Sequence, residues 1–403
     1  MYYGERWRLH RRLTHSVVGK QKVQSYRHIQ SAESKITALR LLESSKNYVD
    51  HLERAATSVM SVIGTGKRIR ELNDPLTVKV IKVTAEMGEK VVVGKHFPMI
   101  LETFPWMSSL PSIRKMFRSG SSESDMYYCM AQEASERRQD CYFRYIYESQ
   151  RKYELSNHEV TSLTGNLFGA GVETSTYTVL SFLLAACCFP EAMSEAREEI
   201  DKICGSERSP TSEDTVGMRH VQAVMKEVFR WRAPAVLGGQ PHAPLEDDFF
   251  DGYLIPKGTS VTGNLWAIHR NERDFPEPDH FCPQRHFADH KLYRPLPMEK
   301  RHMAFGWGRR VCAGAELAEQ GVLTQIARFL WAFNIESELD EQTGKPEVLD
   351  IFNYTYVAMI LREIMTDFVS KERIQYSTKA IQMQIYSTKP GDMAKRHSGR
   401  KRS

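Results

Sequence analysis

The stretch Phe305-Gly306-Trp307-Gly308-Arg309-Arg310-Val311-Cys312-Ala313-Gly314 sets a single cysteine among three glycines, two arginines and two aromatic residues. A free cysteine is most often a buried, inert thiol, and nothing about Cys312 alone argues otherwise. Its neighbours do. Glycines let a backbone pass close to a flat cofactor, and guanidinium forks pair with carboxylates. Backbone N–H groups around a sulfur tune its electron density. The pattern predicts a thiolate that ligates a metal held by a planar, carboxylate-bearing cofactor.

The rest of the chain sets the bounds. Its 403 residues, 41% apolar and 26% charged, read as globular. The seven cysteines, Cys129, Cys141, Cys187, Cys188, Cys204, Cys282 and Cys312, form no C-x-x-C pair. An odd, scattered set argues against a disulfide framework or zinc sites and fits a reducing compartment. A net charge of +5 is mild for this length and predicts no nucleic-acid partner. The longest uncharged stretch, Thr174 to Pro190, is shorter than the ~20 apolar residues that span a bilayer. It reads as half of a buried core helix.

Helical signals dominate. Ser156-Asn157-His158-Glu159 has the form of a capping box. A helix from Val160 to Cys188 would be ~43 Å long at 1.5 Å per residue. Further helices are predicted over Glu191–Ile203, Val221–Trp231 and Glu316–Phe333. Tyr253-Leu254-Ile255 and Thr259-Ser260-Val261 read as small strands, and the proline-rich run from Phe275 to Met298 as an irregular meander. The fold class is therefore mainly α with a minor β-sheet. We place one domain over residues 1–370 and an irregular basic tail over 371–403, which reads as a solvated charge run. Gly64-Thr65-Gly66-Lys67-Arg68 lacks the frame of a phosphate loop. His286 and His290 lie four apart in a loop that makes a helical metal site improbable, and both read as structural or surface residues.

Within the long helix, Ala170-Gly171-Val172-Glu173-Thr174-Ser175 combines a helix-loosening glycine with an acid beside a hydroxyl. Thr174 can bond a carbonyl one turn back and bend the helix. Such a pair in an opened groove is suited to proton delivery; a packed helix with one stray acid is the other reading. Asn166, Gly169, Ala170, Glu173 and Thr174 share one face at i, i+3, i+4 spacing. Glu227-Val228-Phe229-Arg230 places an acid and an arginine on one helical face, a pairing common on surfaces. Trp7 and Arg11 likewise share a face, as a basic surface helix with a buried tryptophan would arrange them.

Taken together these motifs resemble the cytochrome P450 family, over about Trp7 to Thr355. The cysteine loop is similar to its haem-binding loop, and Ala170–Ser175 to its oxygen-binding groove. Glu227-x-x-Arg230 with Arg285, in Phe281-Cys282-Pro283-Gln284-Arg285-His286-Phe287, resembles its buried Glu–Arg–Arg network. Trp7-x-x-x-Arg11 resembles its W-x-x-x-R helix. Asn264-Leu265-Trp266-Ala267-Ile268-His269-Arg270 is similar to fungal monooxygenases of secondary metabolism, the group like O-methylsterigmatocystin oxidoreductase.

The resemblance implies haem b with Cys312 as the axial thiolate. It implies haem contacts from Phe305, Gly306, Arg310, Trp7, Arg11, His242 and Ala170, and proton delivery by Glu173 and Thr174. Asn166, Gly169, Val236 and Leu237 would line the substrate pocket, with Ala235 to Gly239 as one wall; Glu227, Arg230 and Arg285 would be scaffold residues. It further implies O2 and a small apolar substrate, with electrons from NADPH through cytochrome P450 reductase. The chain is expected to lack the family's N-terminal anchor, its first helix and part of its main sheet. A full-length form would sit at the endoplasmic reticulum membrane, facing the cytosol. The segment Phe97 to Phe117 is read equally as a peripheral membrane contact or as core packing. Two rivals stay open: an enzyme of the same fold with non-oxygenase chemistry, and an inactive haem-binding fragment.

Overall fold

Ser156 starts the helix that organises the molecule. Its hydroxyl accepts the Glu159 N–H while the Glu159 carboxylate accepts the Ser156 N–H, closing the predicted capping box. The computed structural model describes residues 3–71, 73–75, 78, 80, 104–111, 121–138, 140–287, 302–337, 343, 349–352, 354–356, 359–361 and 366–370. The tail 371–403 and the end of the meander lie outside them. The helices are α1 (Glu5–Val18), α2 (Lys20–Gln24), α3 (Arg27–Glu43), α4 (Tyr48–Thr65), α5 (Ser121–Glu136), α6 (Tyr142–Tyr153), α7 (Asn157–Gly171), α8 (Glu173–Cys188), α9 (Ser194–Cys204), α10 (Arg219–Trp231), α11 (Leu265–His269) and α12 (Ala315–Ala332). Strands β1 (Asp248–Phe250) and β2 (Tyr253–Ile255) form one antiparallel pair, β3 (Phe333–Ser337) and β6 (Thr366–Ser370) a second, and β4 (Tyr354–Tyr356) and β5 (Met359–Leu361) a third. The architecture is mainly helical with little sheet, as the sequence predicts.

Two expectations need correction. The helix from Val160 to Cys188 is not continuous: it breaks at Val172, between α7 and α8, where Gly171 loosens the ladder. Thr259-Ser260-Val261 is not a strand; only Val261 pairs, in an isolated bridge to His242. Gly64–Lys67 is the end of α4, closed by Gly66 in the left-handed region at φ 75°.

The α7–α8 run, Asn157–Cys188, is long and apolar enough to cross a bilayer by length and composition alone, but its most apolar window is 61% buried inside the protein. From Thr176 to Ala186 nearly every α8 residue is buried, around Phe182 and Leu183. A helix apolar on all sides belongs at the centre of a core. Around α8 pack parts of α3, α9, α10, α12 and β3. A second core joins α1, α2, α5, α6 and α7 with the end of α4 and the start of α12.

One polar cluster fixes α10 against the meander. Glu227 is fully buried. Arg230 donates to it from Nη2 at 2.7 Å and from Nε at 3.1 Å. Arg285 donates from Nε at 3.1 Å, and His286 Nε2 lies 2.8 Å from Oε2. Arg230 also donates to the His269 and Pro278 carbonyls, and Arg285 to Pro276 and Glu277. Burial alone would push the Glu227 carboxyl up, but Arg230 and His286 outweigh it and hold it well below the usual range.

Two outcomes follow for stability. Phe182→Ala should cost about 3–5 kcal/mol in chemical denaturation. Glu227→Gln leaves two buried arginines without their counter-charge and should cost about 3–5 kcal/mol. Because the Glu227 carboxyl is depressed on folding, its stabilisation is complete above the unfolded glutamate value of ~4.3 and is lost as pH falls towards the folded value. The substitution should therefore flatten the acid limb of the stability–pH curve.

Candidate haem-thiolate site

Cys312 sits between a short 3-10 turn, Gly308–Arg310, and the start of α12. Its N–H donates to the Phe305 carbonyl at 2.8 Å, closing the loop. Gly306 and Gly308 hold φ 70° and 61°, and a Cβ on either would meet no atom within 4 Å. The loop thus presents bare backbone and an exposed sulfur to one side. Gly314 continues the thin surface, since a Cβ there would lie 4.0 Å from Cys312 Sγ.

Helix α1 runs beside this loop. The Arg310 guanidinium lies 5.0 Å from the Trp7 ring centroid, and Arg309 lies 4.1 Å from that of Tyr3. Burial pushes the Arg11 guanidinium down while the Cys312 sulfur opposes it, which places Arg11 beside the thiol. Arg6 anchors the helix by donating to Glu159 at 2.6 Å, so α1 is tied to the start of α7. Trp7, Arg11, Arg310 and Cys312 therefore come together, although they lie at opposite ends of the sequence.

The other wall is the α7–α8 break. Asn166, Gly169, Ala170 and Thr174 are exposed along one strip, whereas Leu163, Phe168 and Val172 are buried on the opposite side. The glycines mark the difference. A Cβ on Gly165 or Gly171 would strike Tyr127 at 2.9 Å or Met60 at 2.5 Å; one on Gly169 meets nothing. Thr174 Oγ1 donates to the Ala170 carbonyl at 2.6 Å, the bond one turn back that the sequence predicts. Glu173 is half-buried, and burial pushes its carboxyl up. Leu317 and Ala318, in the first turn of α12, share a small cavity with Ser175 and Thr176. The cysteine loop and the acid–hydroxyl pair thus sit on abutting elements.

Val236 and Leu237 lie on a turn whose fold is fixed by close approach. A Cβ on Gly238 (φ 70°) would meet the Gly263 carbonyl oxygen at 2.7 Å, and one on Gly263 would strike the Trp307 ring at 2.1 Å. The Val236 carbonyl accepts the Trp266 N–H at 3.0 Å, and Leu237 is 53% exposed. His242 is exposed and held by its backbone alone, through the pair of hydrogen bonds to Val261.

The donor set suits haem: a soft thiolate on a glycine-thinned surface, with guanidinium and indole N–H donors for propionates. Among the described residues, no three His, Cys, Asp or Glu side chains group as a metal site.

Two features escaped the sequence reading. His286, set aside as a surface or structural histidine, completes the Glu227 cluster; its place beside Arg285 was the available signal. Tyr3 extends the α1–loop contact, and its position four residues before Trp7 showed that. His290 lies outside the described residues.

The family model "Cytochrome P450" matches residues 1–356. The chain is 33% identical over 364 residues to cytochrome P450 monooxygenase 113 of Postia placenta, covering 89% of this chain and 71% of the relative. It is 31% identical over 363 residues to cytochrome P450 monooxygenase virE of Hypocrea virens (86% and 65%). It is 30% identical over 357 residues to fogE of Aspergillus ruber (85% and 65%). The chain thus spans about two thirds of the length of the last two. With the thiolate loop, the Glu227 cluster and the broken central helix in one arrangement, the chain belongs to the cytochrome P450 family, as a monooxygenase of fungal type whose cofactor is haem with an axial cysteine thiolate.

Proposed function

We propose that the chain inserts one oxygen atom from O2 into a small apolar organic molecule of fungal secondary metabolism, with electrons passed from NADPH through a cytochrome P450 reductase. The observation that carries this is the abutment of the Cys312 loop and the Glu173–Thr174 break through the first turns of α12 and α8. Haem held there by Cys312 would supply the activation of oxygen. Everything else is positioning by the chain.

Cys312 provides the sulfur, and the Phe305 carbonyl fixes the loop that carries it. Trp7, Arg11 and Arg310 form the donor edge for the propionates, with His242 near the opposite wall. Thr174 holds its proton against the Ala170 carbonyl, and burial pushes the Glu173 carboxyl up beside it, which favours a group able to pass a proton on. The exposed strip at Asn166, Gly169 and Ala170, with Val236 and Leu237, would line the substrate pocket, where the Asn166 amide offers a hydrogen bond to the substrate. Glu227, Arg230 and Arg285 act as scaffold. Phe104 and Trp106, 46% and 65% exposed, support a peripheral membrane contact, and a full-length form would sit on the cytosolic face of the endoplasmic reticulum.

Carbon monoxide added to the reduced, haem-loaded protein should give a Soret band at the thiolate-ligated position. Cys312→Ser should abolish both that band and product formation; an unchanged spectrum and yield would refute the assignment. Thr174→Ala should keep the band while slowing oxidation by about 10²-fold. Asn166→Ala should alter substrate affinity or the pattern of products, read by binding titration and product analysis.

A further inference from the structure

Gln30, in the first turn of α3, is a polar side chain sealed inside the protein, 6% exposed. Its amide is held at both ends. Nε2 donates to the Leu317 carbonyl at 2.8 Å, and Oε1 accepts from Gln320 Nε2 at 2.7 Å. Gln320 Nε2 also donates to the Val23 carbonyl of α2 at 3.1 Å, and its Oε1 accepts from Arg27 Nε at 3.3 Å. Two glutamines, one on α3 and one on α12, thus join three helices through one amide network. Bare backbone makes room for it: a Cβ on Gly321 would meet Gln30 Nε2 at 2.8 Å and its Cδ at 3.3 Å. Glycine at 321 lets the amide lie against α12, and a side chain there would push it off the Leu317 carbonyl.

What the network holds bears on the thiolate. Leu317 and Gln320 lie in the first two turns of α12, and Cys312 stands just ahead of that helix. Leu317 shares a core with Leu13 and Val17 of α1, and Ala313, next to the sulfur, packs against the same core. Val23 follows α1 across the joint at Gly19, whose N–H donates to the His15 carbonyl at 2.9 Å. The helix that continues from the sulfur is therefore held directly, and the helix that carries Trp7 and Arg11 is held through α2. The bond from Cys312 N–H to the Phe305 carbonyl secures the loop on the other side of the sulfur.

We propose that Gln30 is a positioning residue for the axial ligand: its amide pins the first turn of α12 and so sets where the Cys312 sulfur stands relative to the Trp7–Arg11 edge. This rests on Cys312 as the haem ligand and is independent of substrate and electron donor. A neutral amide does the work without placing a charge near the sulfur, whose electron density tunes the cofactor.

Gln30→Met keeps the side chain's length and removes both amide hydrogen bonds, and two readouts other than turnover report on the sulfur. In urea below the unfolding transition seen by circular dichroism, the reduced, carbon monoxide-bound protein should lose its thiolate-ligated Soret band several-fold faster than wild type, the scale of one lost hydrogen bond. The reduction potential of the folded protein, measured by spectroelectrochemistry, should shift as well. Gly321→Ala should act in the same direction. Helix propensity alone would have alanine strengthen α12, whereas the added Cβ displaces the amide. Because both changes break one contact, the double variant should lose the band no faster than the more labile single variant. An unchanged rate and potential in Gln30→Met, a Gly321→Ala protein that keeps its band as long as wild type, or effects that add in the double variant each overturn the proposal. If Gln30→Met takes up no haem, Gly321→Ala, which keeps both glutamines, decides alone. Haem-loaded wild type without the thiolate band refutes Cys312 as ligand, and the positioning role with it; a wild-type band with unmoved variants refutes the positioning role only.

Discussion

A carboxylate sealed from water holds this fold in register. Moving one such ion out of water carries an effective penalty of several kcal/mol, and Glu227 meets it with two arginines and a histidine drawn from α10 and the meander. The arginines in turn use their remaining donors on the carbonyls of residues 269, 276, 277, 278 and 280. An irregular, proline-rich segment has no ladder of its own to define its path. Here the path is dictated by where those carbonyls must meet fixed guanidinium forks. His269, bonded through its carbonyl to this cluster, also accepts the Met303 N–H at its ring, two residues before the cysteine loop begins at Phe305. Burial keeps that ring neutral, with its titration pushed down to about 3, so it remains an acceptor at every physiological pH.

The central helix serves two masters, and its break reconciles them. Beyond Val172, α8 is apolar on all sides and behaves as core. Before it, α7 buries one side against α4, α5 and α6 and leaves a strip open. A continuous helix would carry its hydrogen-bond ladder unbroken through residues 171–173. With the ladder interrupted there, the Thr174 hydroxyl answers a carbonyl and the Glu173 carboxylate lies half in and half out of the core.

Legibility in the sequence followed locality. The cysteine loop could be read because its demands, positive-φ glycines around one sulfur, are written within ten positions. The start of α7 could be read because a capping box is four residues long. The break was half visible: Gly171 and Thr174 announced a bend, but only packing against Met60 turns a bend into a boundary. His286 was read as structural or surface without a choice between them, because an irregular loop has no period to reveal which side chain turns inward; it is structural. The Thr259–Val261 strand failed for a related reason: a short run among turn residues was read as a strand, but only one bridge forms, from Val261 to His242.

The stack of Gly238 on Gly263 and of Gly263 on Trp307 has an engineering consequence. Those contacts are made by backbone against backbone and backbone against an indole, with no pliable side chain in between. The turn carrying Val236 and Leu237 and the loop carrying the sulfur therefore behave as one rigid laminate. Recasting residue 236 or 237 changes a side chain on the turn and leaves the backbone contacts beneath it where they are. Adding even a methyl group at 238 or 263 wedges the layers apart and disturbs the turn and the Cys312 loop together.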